Sequence, residues 1–179
     1  MQKTISSEKV NIKIIKLLKN KIFIYPTDTI YGIGCDATNS KLIKKIRQIK
    51  QRDSKPFSVI APNFKWIYQN CIVDEKLVKK YLPGKYTLIL KKKNPNFLKE
   101  VSDNNFIGIR VPKSAFTKKI QKLNIPIVTT SVNLSGEKPI TKISEIPKKI
   151  LKKVNFIFEE GILNGNPSTI ILNGKEIKR

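Results

Sequence analysis

Five short stretches hold the residue types that chemistry can use. "PTDTIYGIG" (26–34) closes an apolar run with a proline, then sets Thr27, Asp28 and Thr29 ahead of Tyr31, Gly32 and Gly34. Pro26 has no amide hydrogen to give a neighbouring strand, so the backbone of 27–31 is free to face a ligand. "IKQRDSKPF" (49–57) gathers Lys50, Arg52 and Lys55 where a helix gives way to a strand. Such cations suit a phosphate, or simply complement the helix's own dipole. In "IGIRVP" (107–112) the neighbours Ile107, Ile109 and Val111 alternate toward a core, so Arg110 points the other way. A planar cation there fits a carboxylate or a phosphate. "VTTSVNLSG" (128–136) ends a strand in Thr129, Thr130 and Ser131, with Asn133 and Ser135 following, and "NPSTII" (166–171) repeats the theme with Ser168 and Thr169. Neutral donors of this kind hold an oxyanion without a competing negative charge. Each stretch also has an ordinary reading, as a self-capping turn, a solvated helix end or an exposed strand residue. The residues alone leave both readings open.

Absences narrow the chemistry. The chain has no histidine, which removes Ser-His-Asp and Cys-His arrangements, imidazole acid–base work and most zinc sites. Neither a GxxxxGK[ST] loop nor a GxGxxG fingerprint is present. Cys35 and Cys71 are isolated, without CxxC spacing, and read as reduced thiols. Catalysis, if any, must rest on positioning, cations, hydroxyls and amides. A formal charge of +23 points to anionic partners, nucleic acid or nucleotide phosphate. General lysine enrichment of the surface accounts for the charge equally well. Of 36 basic residues only Arg47, Arg52, Arg110 and Arg179 are arginine. Where lysine is used so freely, a surviving arginine hints that a bidentate fork is needed.

The elements that must position these groups follow from periodicity. Apolar positions over 8–21 predict a helix, 22–25 a buried strand, and Asn39 caps a helix through about Gln51. Strands follow at 56–61, 86–92, 106–112 and 126–130. Asp74 caps a helix that stops at Pro83-Gly84, and Ser114 opens another to about Leu123. Pro147 starts a last helix, before strands in "NFIFEEG" and "STIILN". The alternation predicts an α/β protein with a mixed, twisted sheet, in one domain over 1–179. No signal-peptide core and no apolar run of membrane-spanning length is present, so a soluble cytoplasmic protein without membrane association is expected.

In order along the chain, "PTDTIYGIGCDA", the KxR of "KQR", "PGKYTLIL", "IGIRVP", "TTSVNLSG" and "PSTII" resemble the motifs of the YrdC/Sua5 family, the L-threonylcarbamoyladenylate synthases. The resemblance runs from Ile22 to Ile171. It implies a twisted open sheet with flanking helices and a basic concave face. It further implies an RNA-processing nucleotidyltransferase that joins L-threonine, bicarbonate and ATP into threonylcarbamoyl-AMP and pyrophosphate. Other proteins then transfer the threonylcarbamoyl group to adenosine 37 of tRNA. Carried across residue by residue, Lys50 and Arg52 are the catalytic cations at the ATP phosphates and carbonate-derived group. Ser131, Asn133 and Arg179 also bind ATP, while Thr29, Arg110, Thr129 and Ser168 surround threonine. Mg2+ travels with ATP, and the family pattern implies no metal held by the protein itself.

This chain departs from the pattern in four places. Residues 52–56 are one residue shorter than usual, Ile60 stands near the place of a histidine found in some members, and the tail is shortened so that Arg179 is last. The extra C-terminal domain of the longer Sua5 type is also lacking, which suggests the short YrdC type. Two rival readings are a non-catalytic module for double-stranded RNA or tRNA, and a carbamoyl-adenylating enzyme using carbamoyl phosphate, as in hydrogenase maturation proteins.

Overall fold

The computed structural model describes residues 2–52, 54–163 and 165–178. Strands β1 (Lys3–Ser6), β2 (Phe23–Tyr25), β3 (Gly32–Gly34), β4 (Ser58–Ile60), β5 (Cys71–Ile72) and β6 (Tyr86–Lys92) come from the first half. Strands β7 (Phe106–Arg110), β8 (Ile127–Ser131), β9 (Phe156–Glu159), β10 (Thr169–Leu172) and β11 (Lys175–Ile177) complete one mixed sheet. Its order is β1-β9-β2-β3-β8-β4-β7-β6-β10-β11, with β5 paired to β6 off this path. Helices α1 (Ile12–Lys16), α2 (Ser40–Lys50), α3 (Phe64–Asn70), α4 (Glu75–Tyr81), α5 (Ala115–Gln121) and α6 (Lys148–Leu151) flank it.

Side-chain alternation shows which parts of the sheet are covered. In β2, Ile24 joins the larger apolar cluster with Ile43, Ile46 and Ile49 of α2. Phe23 and Tyr25 join a second cluster with Ile15 of α1 and Phe116 and Ile120 of α5. Because successive strand residues point to opposite faces, β2 is buried on both sides. The pattern changes across β7, β6 and β10. Ile107, Ile109, Leu88, Leu90 and Ile171 pack into the larger cluster, while none of the alternate residues Gly108, Arg110, Thr87, Ile89 and Ile170 belongs to the second one. This face carries a glycine, a hydroxyl and a guanidinium in place of an apolar layer, and the candidate site lies on it.

Most elements stand where the periodicity puts them. Asn39 accepts a hydrogen bond from the Leu42 amide and starts α2, Asp74 does so for Lys76 and α4, and Ser114 for Thr117 and α5. Each satisfies one of the donors that a helix start leaves free. The helix expected over 8–21 is broken instead into a 3-10 turn (Ser7–Lys9), α1 and a second 3-10 turn (Leu17–Asn20). Lys9, Lys13, Lys16 and Lys19 place like charges three and four residues apart, which weakens a continuous helix. Val10, Ile15 and Leu18 are buried while Ile12 and Leu17 remain exposed. β1, β3, β5, α3 and β11 carried no legible signal. All but α3 run two to four residues, too short to show a period.

Candidate functional site

A cavity of about 430 Å³ opens on this face of the sheet. Its floor is set by strand register. Ser58 of β4 lies opposite Gly108 of β7, and Gly108 lies opposite Ile89 of β6. A side chain at 108 would run into the Ser58 hydroxyl and come within 3.3 Å of the Thr87 methyl. Glycine is therefore what keeps this floor open. Beside it, the hydroxyls of Thr87 and Ser168 are 2.7 Å apart and buried, brought together because β10 runs parallel to β6. Each hydroxyl retains further donor or acceptor capacity for a ligand.

One wall is the "PTDT" loop. Thr27 Oγ1 donates to the Ile30 carbonyl, accepts from the amides of Thr29 and Ile30, and meets Thr29 Oγ1 at 2.9 Å. The loop is thus a self-bonded turn, and Thr27 also lines the cavity. Asp28 anchors it from outside. Its Oδ1 accepts from Arg110 Nη2 at 2.9 Å and its Oδ2 from the Lys113 amide at 2.8 Å. The pair is buried, with side-chain exposures of 5% for Asp28 and 8% for Arg110. Arg110 Nη2 also reaches Thr29 Oγ1 at 3.3 Å. Burial lowers the Arg110 pKa while Asp28 holds the charge in place. Arg110 Nε is the one buried side-chain polar atom among the described residues that lacks a partner.

The opposite wall forms where α2 ends. Gln51 takes a left-handed conformation, φ 51°, and its amide bonds back to the helix, turning the chain sharply before Arg52. Lys50, the last helical residue, is almost fully buried. Its ammonium donates to the Ser131 carbonyl, to the Asn133 carbonyl at 2.9 Å and to Asn133 Oδ1 at 2.9 Å. Burial, and then the charge of Arg52, bring its pKa down to about 7. Asn133 Oδ1 in turn accepts from the Ser131 hydroxyl at 2.6 Å. Arg52 donates to the carbonyls of Lys55 and Pro56 and lies 5.3 Å from the centre of the Phe57 ring.

Of the residues picked out from sequence, Arg52, Arg110, Thr129, Ser131 and Ser168 line the cavity. Lys50, Asn133 and Thr29 stand behind its walls, each bonded to a group that lines it. Arg179 lies outside the described residues. Of the two glycines in "PTDTIYGIG", Gly32 lines the cavity, while Gly34 faces the Val128 carbonyl oxygen. Ser58, Thr87 and Gly108 escaped functional assignment because only strand register brings them together. Thr27 and Thr130, within stretches singled out for their chemistry, also line the cavity. Among the described residues, no aspartate, glutamate or lysine lines the cavity. No group of three or more His, Cys, Asp or Glu among the described residues is arranged to hold a metal ion. No helix in them is long and apolar enough to cross a membrane.

Comparison with known proteins matches residues 16–178 to a family described as Sua5/yciO/yrdC, telomere recombination. A putative threonylcarbamoyl-AMP synthase of Methanocaldococcus jannaschii is 37% identical over 161 residues, 87% of this chain and 76% of its own length. Among solved structures, P. abyssi Sua5 complexed with L-threonine aligns with a TM-score of 0.82 at 24% identity, covering 96% of this chain and 54% of that one. This chain therefore spans about half the length of that Sua5. E. coli YciO aligns with a TM-score of 0.82 at 25% identity over 99% of this chain and 93% of its own.

Proposed function

The chain belongs to the Sua5/YciO/YrdC family, and from that premise we propose that it makes threonylcarbamoyl-AMP from L-threonine, bicarbonate and ATP. The product serves the threonylcarbamoylation of tRNA adenosine 37. The observation that carries this reading is the cavity's lining. Two arginines and many serine and threonine hydroxyls surround it, with no carboxylate among the described residues that line it. That is a site for anions, and its volume of about 430 Å³ falls in the usual range for small molecules, about 300–1,000 Å³.

In this reading the amine of threonine adds to bicarbonate with loss of water, giving a carbamate. A carbamate oxygen attacks the α-phosphorus of ATP, the bond to the β-phosphate oxygen breaks, and pyrophosphate leaves with its electron pair. No side chain becomes a covalent nucleophile, which fits a chain without histidine. Arg52 and Ser131 meet the phosphates of the magnesium–ATP substrate. Arg110, Thr129 and Ser168 surround the threonine carboxylate. Lys50, whose donors are directed to residues 131 and 133, keeps the Ser131 turn in shape. Catalysis is then positioning plus charge dispersal.

One assay tests this. The protein is incubated with ATP, Mg2+, L-threonine and labelled bicarbonate, and labelled threonylcarbamoyl-AMP is sought together with pyrophosphate. Label that depends on threonine supports the proposal. Product from carbamoyl phosphate without threonine assigns the carbamoyl-adenylating reaction instead. No product from either, with RNA bound, leaves only the binding-module reading.

A further inference from the structure

We infer that Arg47 is a positioning residue for Arg52, a brace that fixes the short loop carrying Arg52 to the cavity wall. None of the roles implied by the family falls on Arg47. Its surroundings are nevertheless built. From the last turn of α2 its Nη1 donates to the Lys55 carbonyl at 3.0 Å, and its Nη2 to the carbonyls of Glu100 and Val101 at 3.0 and 3.3 Å. The guanidinium lies 4.5 Å from the centre of the Phe57 ring, and Arg52 lies 5.3 Å from it.

Three separate segments therefore meet on one side chain: the end of α2, residues 54–56, and the turn at 100–101. A backbone bond from the Phe57 amide to the Val101 carbonyl, 2.9 Å, closes the same junction. Only a planar fork with several donors can reach carbonyls on two chain segments while stacking on a ring. Lysine, with a single ammonium on a flexible stem, cannot reproduce this, although the chain uses lysine at nearly every other cationic position. The consequence falls on Arg52. Its backbone amide bonds the Arg47 carbonyl at 3.0 Å, and its side chain holds the carbonyls of Lys55 and Pro56, inside the loop that Arg47 pins. Phe57 and Pro56 also line the cavity, so loosening the brace moves the wall as well as the cation.

The test has two arms, and only the second rests on the ATP reading of the site. In the first, amide hydrogen exchange over 52–57 is compared in the wild type, Arg47→Lys and Arg47→Met. Exchange about tenfold faster in both variants is expected, because the loop opens locally without global unfolding. Unchanged exchange overturns the inference, as does full protection in Arg47→Lys, which would make charge rather than the fork responsible. In the second arm, direct titration with Mg–ATP is run as a double-mutant cycle. Arg47→Met is expected to weaken ATP about tenfold in the wild type and less than about twofold in an Arg52→Ala background. Equal losses in both backgrounds would mean a general structural role and overturn the inference. If the wild type binds no ATP, the functional reading fails and the exchange arm alone decides the brace.

Discussion

Asp28 and Lys50 show how much of this site is held by charges that do not face the ligand. The Asp28–Arg110 pair is almost wholly shielded from water, and Asp28 spends its second oxygen on the Lys113 amide. Removing one partner of a buried pair strands the other, at about 3–5 kcal/mol. Asp28→Asn should therefore destabilise the fold by about 3 kcal/mol in urea, with Asp28→Asn/Arg110→Met recovering part of the loss. An equally unstable double variant would show that the loop bonds, not the stranded cation, dominate. Lys50 makes a pH prediction. Its folded pKa is about 7, below the ordinary 10.5, so as pH rises from 7 toward 10 the unfolded chain holds the extra proton. Stability should then rise with pH through that window. The rise should be missing in Lys50→Met, and urea midpoints at pH 6, 7.5 and 9 for both proteins isolate the term. A parallel slope in the two would assign it to other lysines.

At the scale of elements, the hairpin of β2 and β3 is decisive and depends on a glycine. A methyl at position 34 would drive into the Val128 carbonyl, a backbone atom of β8 that cannot rotate away. Gly34→Ala should cost about 2–3 kcal/mol and loosen the pairing of β3 with β8, read as a lower urea midpoint and faster exchange at Thr130. A neutral substitution would mean that the sheet flexes there freely. The helix α2, its Asn39 cap and its cation-rich end were legible because the apolar stripe and the capping residue agree. β6 was legible over its whole length, from Tyr86 to Lys92. β3 was not, since two glycines around one isoleucine carry no alternation, and Pro26 signals an end to pairing that the chain resumes six residues later. Arg110 could be aimed correctly from its alternating neighbours. Its partner Asp28, 82 positions away in sequence, could not be found. Ser58, Thr87 and Gly108 share a floor only through the order β4-β7-β6, which no local pattern encodes.

Across the whole molecule, the charge of +23 and the cavity are separate features. Among the described residues, Arg52 and Arg110 line the cavity and no lysine does, so the lysine excess lies elsewhere. Small anions and long polyanions should accordingly respond to different perturbations. Lysines spread over a surface neutralise many phosphates at once, and such binding weakens steeply and log-linearly with salt. Transfer RNA, followed by fluorescence anisotropy between about 50 and 200 mM salt, should lose at least about a hundredfold in affinity. Arg52→Ala and Ser131→Ala should leave that binding within about twofold, since single contacts are a small part of a distributed charge. The same two variants should lower threonine-dependent pyrophosphate release by about a hundredfold or more, the scale of losing one preorganised donor. RNA affinity that collapses together with synthesis would put the polyanion in the cavity. Affinity that ignores salt would deny the lysine surface any part in binding, leaving its charge to compositional drift.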